Sequence, residues 1–334
     1  MTSRRRLLLA GALVALSPTI AFAQAARKLP VVVYVFASVP TSEMTGADPK
    51  GPHARALVHR LRDLGWEDGR NFILERHGAQ DSRERAQGVY ADAVARKVDL
   101  ILAVGSTGGT VTAVDAVRAT RTIPVVFAGG SDPVALGLVT SLARPGGNAT
   151  GVTVGVGEDI GAKRLELIKE IAPRVKRVAY LNPKAASDDF FRETALRLGM
   201  TLVHAHVESR DQYDQALALA AREKVDAILI GGSSMHFAAA SRIAAFAAER
   251  KLPVASFFPE LVEAGGLLSY GIDLLDLNRR AAEYVDKILR GAKPADLPVE
   301  QPRKFELVLN LRTARAFGLT IPQSVLLRTD RVIE

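Results

Sequence analysis

The sequence predicts an α/β protein built of two doubly wound parallel-sheet lobes joined by a hinge. Three observations lead there. Near-continuous β-branched runs of strand length recur with amphipathic helical stretches between them, the pattern of parallel strands covered on both faces. The alternation is interrupted at Arg144-Pro145-Gly146-Gly147-Asn148, a cluster that must turn, and then restarts. Finally, a chain of 334 residues exceeds what one core organises, so two domains are expected.

In the first half, strands are expected at Val31 to Ala37, Phe72 to Glu75, Leu100 to Val104 and Val125 to Ala128. Helices fall between them at Ala54 to Leu64, Arg83 to Arg96 and about Thr110 to Ala119. The second half begins with a helix from Gly161 to Ile171 and continues through strands at Arg177 to Leu181, Thr201 to Ala205, Ala227 to Ile230, Val254 to Phe257 and Leu267 to Tyr270. Its further helices are expected near 188–198, 213–223, 238–250 and 279–289. With chain crossings near Thr150 and Gly271, lobe 1 is expected to take residues 28–150 plus about 272–296. Lobe 2 takes 151–271 plus part of 297–334.

Residues 1–23 read as a secretory signal peptide. Arg4, Arg5 and Arg6 precede an apolar run from Leu7 to Leu16, and Ala21-Phe22-Ala23 supplies small residues for cleavage. The run is about half the roughly 20 residues a membrane-spanning helix needs, and Ser17-Pro18 breaks it. Ser3-Arg4-Arg5-Arg6-Leu7-Leu8 also fits a loose twin-arginine pattern, so the Sec and twin-arginine routes both stay open. The chain has no cysteine, which excludes disulfides, thiolate metal sites and lipid attachment through cysteine. A mature chain free in the periplasm is therefore expected, with no direct membrane insertion. Loss of the three leader arginines lowers the formal charge from +8 to +5, a mild and dispersed excess that gives no support for a nucleic-acid partner.

Open α/β sheets bind ligands beyond the carboxyl ends of their strands, so the residues just after each strand are the candidates. In the first lobe these are Ser38, then Ser106 and Thr107, whose hydroxyls and helix-start N–H groups suit a carboxylate, and Ser131 and Asp132 after a pair of glycines. Asp132 suits a ligand ammonium group, but Asp before Pro133 is also an ordinary helix cap. In the second lobe Asn182 follows one strand and Ser233 and Ser234 another, and Gly231 to Ser234 echoes the small polar loop at Gly105 to Gly109. Phe257 and Tyr270 add aromatic surface and Asp273 a further carboxylate at the junction, although core packing explains at least one of the phenylalanines as well. The ligand expected from this set is a small molecule bearing a carboxylate, an amino acid or an aromatic acid.

Enzyme signatures are missing. Phe36-Ala37-Ser38-Val39-Pro40 stands where a dinucleotide-binding G-x-G-x-x-G would begin, and neither a Walker A sequence nor a G-x-S-x-G elbow occurs. His204-Ala205-His206 puts two imidazoles on one face of a strand, but the sequence offers no third ligand beside them, so neither a metal nor a cofactor is expected.

Two long runs have a familiar pattern: Pro124-Val125-Val126-Phe127-Ala128-Gly129-Gly130-Ser131-Asp132-Pro133 continuing to Val139, and Leu142-Ala143-Arg144-Pro145-Gly146-Gly147-Asn148-Ala149-Thr150-Gly151. With the tail from Lys287-Ile288-Leu289-Arg290-Gly291 to Pro302, and with Leu64-Gly65-Trp66 and Gly69-Arg70-Asn71, the chain resembles the ABC-transporter substrate-binding family that includes tryptophan- and tyrosine-binding members. The resemblance covers nearly the whole mature chain. It implies a type I periplasmic-binding fold that delivers a solute to an ABC permease in the inner membrane, without catalysis. A periplasmic ligand sensor partnering a membrane receptor, or an α/β enzyme, are the alternatives. A repressor is excluded, because an export signal stands where a DNA-binding helix-turn-helix would be.

Overall fold

The computed structural model describes residues 28–105, 113–130, 132–155, 158–183, 188–233, 235–302 and 305–334. Five strands form the first sheet: β1 (Val31–Phe36), β2 (Ile73–Gly78), β3 (Leu100–Val104), β4 (Val125–Ala128) and β5 (Ala149–Val152). They pair in the order β2-β1-β3-β4-β5, all parallel. Helices α1 (Pro52–Asp63), α2 (Arg83–Ala95) and α3 (Ala113–Ala119) alternate with them. Every residue of β3 and β4 is buried, as a sheet covered on both faces requires.

The second sheet starts after α4 (Glu158–Ile171). It takes β6 (Arg177–Asn182), α5 (Asp188–Arg197), β7 (Thr201–His206), α6 (Tyr213–Arg222), β8 (Ala227–Ile230), α7 (Met235–Arg250), β9 (Val254–Ser256), α8 (Pro259–Glu263) and β10 (Leu268–Ile272). After α9 (Leu274–Leu289) the chain returns to it with β11 (Phe305–Asn310), α10 (Leu311–Phe317), α11 (Gln323–Leu326) and β12 (Arg331–Ile333). The strand order is β12-β11-β10-β9-β8-β6-β7. This sheet departs from the all-parallel expectation in one place, because β11 runs antiparallel to β10.

Helix α9 follows a strand of the second sheet but packs with the first. Its apolar stripe of Leu277, Ala281, Tyr284, Val285 and Ile288 shares one core with Ala54, Leu57, Val58 and Leu61 of α1. Asp273 sets its start, the carboxylate accepting from the N–H groups of Leu275 and Asp276 at 2.8 and 3.0 Å. The chain therefore passes between the sheets after β5, again at Asp273, and a third time near Glu300. There the Glu300 N–H donates to Gly151 and its carbonyl accepts from Thr153, at 3.0 and 2.9 Å. Three segments of chain thus join the lobes, near Val152, Asp273 and Glu300. Together the two sheets form the type I periplasmic-binding fold.

Candidate functional site in the cleft between the lobes

The carboxyl ends of the two sheets face one another, and the loops that leave them carry the polar groups. In the first lobe β1 runs into Ala37 and Ser38. The Ser38 hydroxyl is buried without a hydrogen-bond partner, while its carbonyl accepts from Arg210 of the second lobe at 2.7 Å. Gly129 follows β4 with φ of 125°, and a side chain there would run into the Gly105 carbonyl. The two strand ends can approach this closely only with glycine. Ser106, Thr107, Ser131 and Ser234 lie outside the described residues.

Asp132 uses one carboxylate oxygen to accept from the N–H groups of Val134 and Ala135, both at 3.0 Å, which is the capping role that Asp before Pro suggests. Asp273 is occupied in the same way at the start of α9, and its second oxygen lies 3.3 Å from Arg279. Tyr270 sits among the crossing segments, its ring 6.0 Å from that of Phe305. Asp273 and Tyr270 therefore belong to the hinge side.

In the second lobe Asn182 ends β6 and lies so tightly over Gly231 that a side chain at 231 would collide with its amide oxygen. Ser233 is buried at the start of α7, its hydroxyl 3.4 Å from the Met235 N–H. Phe257 and Phe258 leave β9 with rings 4.9 Å apart and insert into the core of the first lobe, against Phe36, Val104, Ala128 and Leu277. Both are thus core residues, yet the core they join is the opposite lobe's. With Gly129, Val154 and Gly232 they line an apolar cavity of about 40 Å³ between the lobes.

Two buried groups that the strand-end rule did not select stand beside them. Arg164 is only 2 % exposed. Its Nη1 donates to the Ile230 carbonyl at 2.9 Å, its guanidinium lies 5.4 Å from the Phe257 ring centroid, and its Nε has no partner. Among the described residues no carboxylate neutralises it, and burial pushes its pKa down to about 10. His236 is also buried, its Nδ1 2.6 Å from the Tyr213 hydroxyl and its Nε2 without a partner. Burial first and the Arg164 charge second hold its pKa down to about 3, so the ring is neutral. The sequence did carry a signal for Arg164. It occupies the apolar stripe of α4 with Ile160, Leu167, Ile168 and Ile171, one charge where only hydrophobic residues are expected.

Two polar contacts span the cleft. Arg210, between β7 and α6, reaches Asp81 after β2 at 2.7 Å, and His53 of α1 meets Glu260 of α8 at 3.2 Å. Burial raises the Asp81 pKa, and Arg210 opposes that shift.

The arrangement provides an unneutralised buried cation, buried hydroxyls and aromatic walls under two lobes that meet edge to edge. Such a set of groups can hydrogen-bond and enclose a small molecule.

Comparison with known proteins agrees. The tyrosine-binding protein of Clostridioides difficile is 27% identical over 271 residues, which cover 79% of this chain and 76% of that one. A solved ABC domain in complex with L-Trp from Streptococcus pneumoniae is 26% identical, with a TM-score of 0.77 over 91% of this chain and 100% of that one. The ligand-free, open structure of a substrate binding protein with adhesive properties from Clostridium difficile is also 26% identical, covering 91% and 99%, but its TM-score is 0.63. The lobes here thus match the liganded relative better than the open one. The family model for ABC transporter substrate binding proteins matches residues 53–333, and the chain belongs to that family.

Proposed function

We propose that the chain is the exported solute-binding component of an ABC importer, and that it captures an aromatic amino acid in the interlobe cleft. The observation that carries this reading is Arg164. A buried guanidinium without a counter-ion is costly to the fold, and the natural complement for its free Nε–H is a ligand carboxylate. Phe257 beside it supplies a face for an aromatic side chain, and the buried Ser38 and Ser233 hydroxyls and Asn182 supply further hydrogen bonds. Asp132 lies on the opposite lobe and suits the ligand ammonium group.

The tyrosine-binding relative and the relative solved with L-Trp support the same ligand class. Residues 1–23 would direct export and be cleaved off in the process, and the loaded mature protein would then hand its solute to a permease without altering it. The cavity of about 40 Å³ is far below the roughly 300 Å³ of a ligand pocket, so a bound ligand would hold the lobes further apart than they stand here. A thermal-shift screen of the mature protein tests the proposal. L-tryptophan or L-tyrosine should raise the melting temperature by mass action, and a rise only with neutral sugars would reject it.

A further inference from the structure

The outer edge of the second sheet carries a group of donors that ligand capture does not use. Strand β7 is the last strand of that sheet, and its two-residue period puts His204 and His206 on one face with ring centroids 5.7 Å apart. The third donor, which the sequence did not place beside them, comes from the start of α5. Asp188 Oδ2 lies 3.8 Å from His204 Nδ1 and 3.9 Å from His206 Nδ1.

One donor atom from each of the three residues lies within 4.8 Å of the other two. Those distances are too long for hydrogen bonds, yet both ring nitrogens of His204 are shielded from solvent with no hydrogen-bond partner. Shielded ring nitrogens with neither satisfied are costly even on a partly buried imidazole, unless something else occupies the site. A tetrahedral ion with bonds of about 2.0–2.1 Å needs donors about 3.4 Å apart, a contraction that side-chain rotation supplies.

We infer that Asp188, His204 and His206 bind a divalent first-row transition ion, Zn²⁺ in the first instance. Two imidazoles and one carboxylate suit such an ion over Mg²⁺ or Ca²⁺, which prefer all-oxygen shells. Tyr180 stands edge-on to the His204 ring at 5.8 Å and holds it in place from the sheet side. Arg192, the nearest competing cation, is paired with Asp189 at 2.7 Å. His206 is the exposed member, with 39% of its side chain accessible, so a fourth position opens to water. Its register partner on β6 is Asn182, at the ligand cleft, so the ion braces α5 and β7 at the lip of the second lobe.

The test is calorimetric titration of ZnCl₂ into tag-free mature protein that has been stripped with chelator. One Zn²⁺ per chain is expected. His206→Ala and Asp188→Asn should each weaken binding by more than about tenfold, since even outer-shell partners of a metal are worth about 10–100-fold. His59→Ala, which removes an exposed histidine paired with Asp48, should leave binding unchanged. His206 is exposed, so its variant keeps the fold and decides the matter even if Asp188→Asn is poorly folded. Co²⁺ in place of Zn²⁺ should give the strong visible absorption of a tetrahedral site, lost in His206→Ala. Absence of stoichiometric binding, or binding undiminished in His206→Ala, overturns the inference.

Discussion

The guanidinium of Arg164 lies 5.4 Å from the ring centroid of Phe257, an aromatic that reaches from the second lobe into the core of the first. The pair couples a buried charge, which no carboxylate among the described residues neutralises, to the surface on which the lobes meet. Replacing a buried charge with an apolar side chain of similar length is often neutral or stabilising, whereas a charge kept for a ligand is lost to binding. Arg164→Met should therefore leave the melting temperature of the ligand-free protein unchanged or raised. The same change should weaken aromatic amino acid binding by about 1.5–3 kcal/mol, the range for hydrogen bonds to charged groups. Calorimetry and thermal unfolding of one variant check both halves.

The neutral state of His236 makes stability depend on pH. Its pKa is pushed down to about 3 in the folded protein from 6.5, so between these values the unfolded chain binds the extra proton. This contribution is complete above pH 6.5 and is lost as pH falls toward 3, by up to about 1.4 kcal/mol per pH unit. Urea unfolding at a series of pH values should show that slope, and His236→Gln should flatten it. An unchanged slope in the variant would assign the dependence to other groups.

Arg210 fastens the second lobe to Asp81 and to the Ser38 carbonyl of the first. Its side chain is 41% exposed, so the contact is worth about 1 kcal/mol or less. Arg210→Ala should shift the lobes toward an open arrangement, visible as a larger radius of gyration in small-angle scattering. Because only the closed state holds ligand from both sides, affinity should fall by up to about fivefold. A variant with unaltered scattering and affinity would remove Arg210 from closure.

Asp132 caps a turn through one oxygen, and Asn retains that oxygen. Asp132→Asn should keep the ligand-free melting temperature, and if the carboxylate pairs with a ligand ammonium group, binding should weaken by about 1.5–3 kcal/mol. Unchanged affinity by calorimetry would leave Asp132 with its capping role alone.

Much of the architecture was legible in the chain. The β-branched runs at Val31, Leu100, Val125 and Ala227 are buried on both sides and could only be parallel strands. Three strands were not legible. Strand β5 is four residues long, comes after a turn cluster and contains Gly151. Strands β11 and β12 form by pairing across sequence gaps that no local pattern announces, and β11 inverts the sheet's direction.

The strand-end rule led to Ser38, Asn182, Ser233 and Phe257 because topology alone puts the residues after a parallel strand at the cleft. It passed over Arg164 and His236, which sit on helices. Asp188 could not be joined to His204 and His206, because the approach of α5 to β7 is tertiary.

The most direct measurement is calorimetry of the mature protein with matched pairs: L-tryptophan against tryptamine, and L-tyrosine against tyramine. Each pair differs by the carboxylate alone. Binding of the amino acids, with a loss of at least about tenfold on removing the carboxylate, is predicted for the natural protein, and Arg164→Met should abolish most of that difference. Equal affinity within each pair, or discrimination that survives Arg164→Met, would contradict the placement of a ligand carboxylate on Arg164.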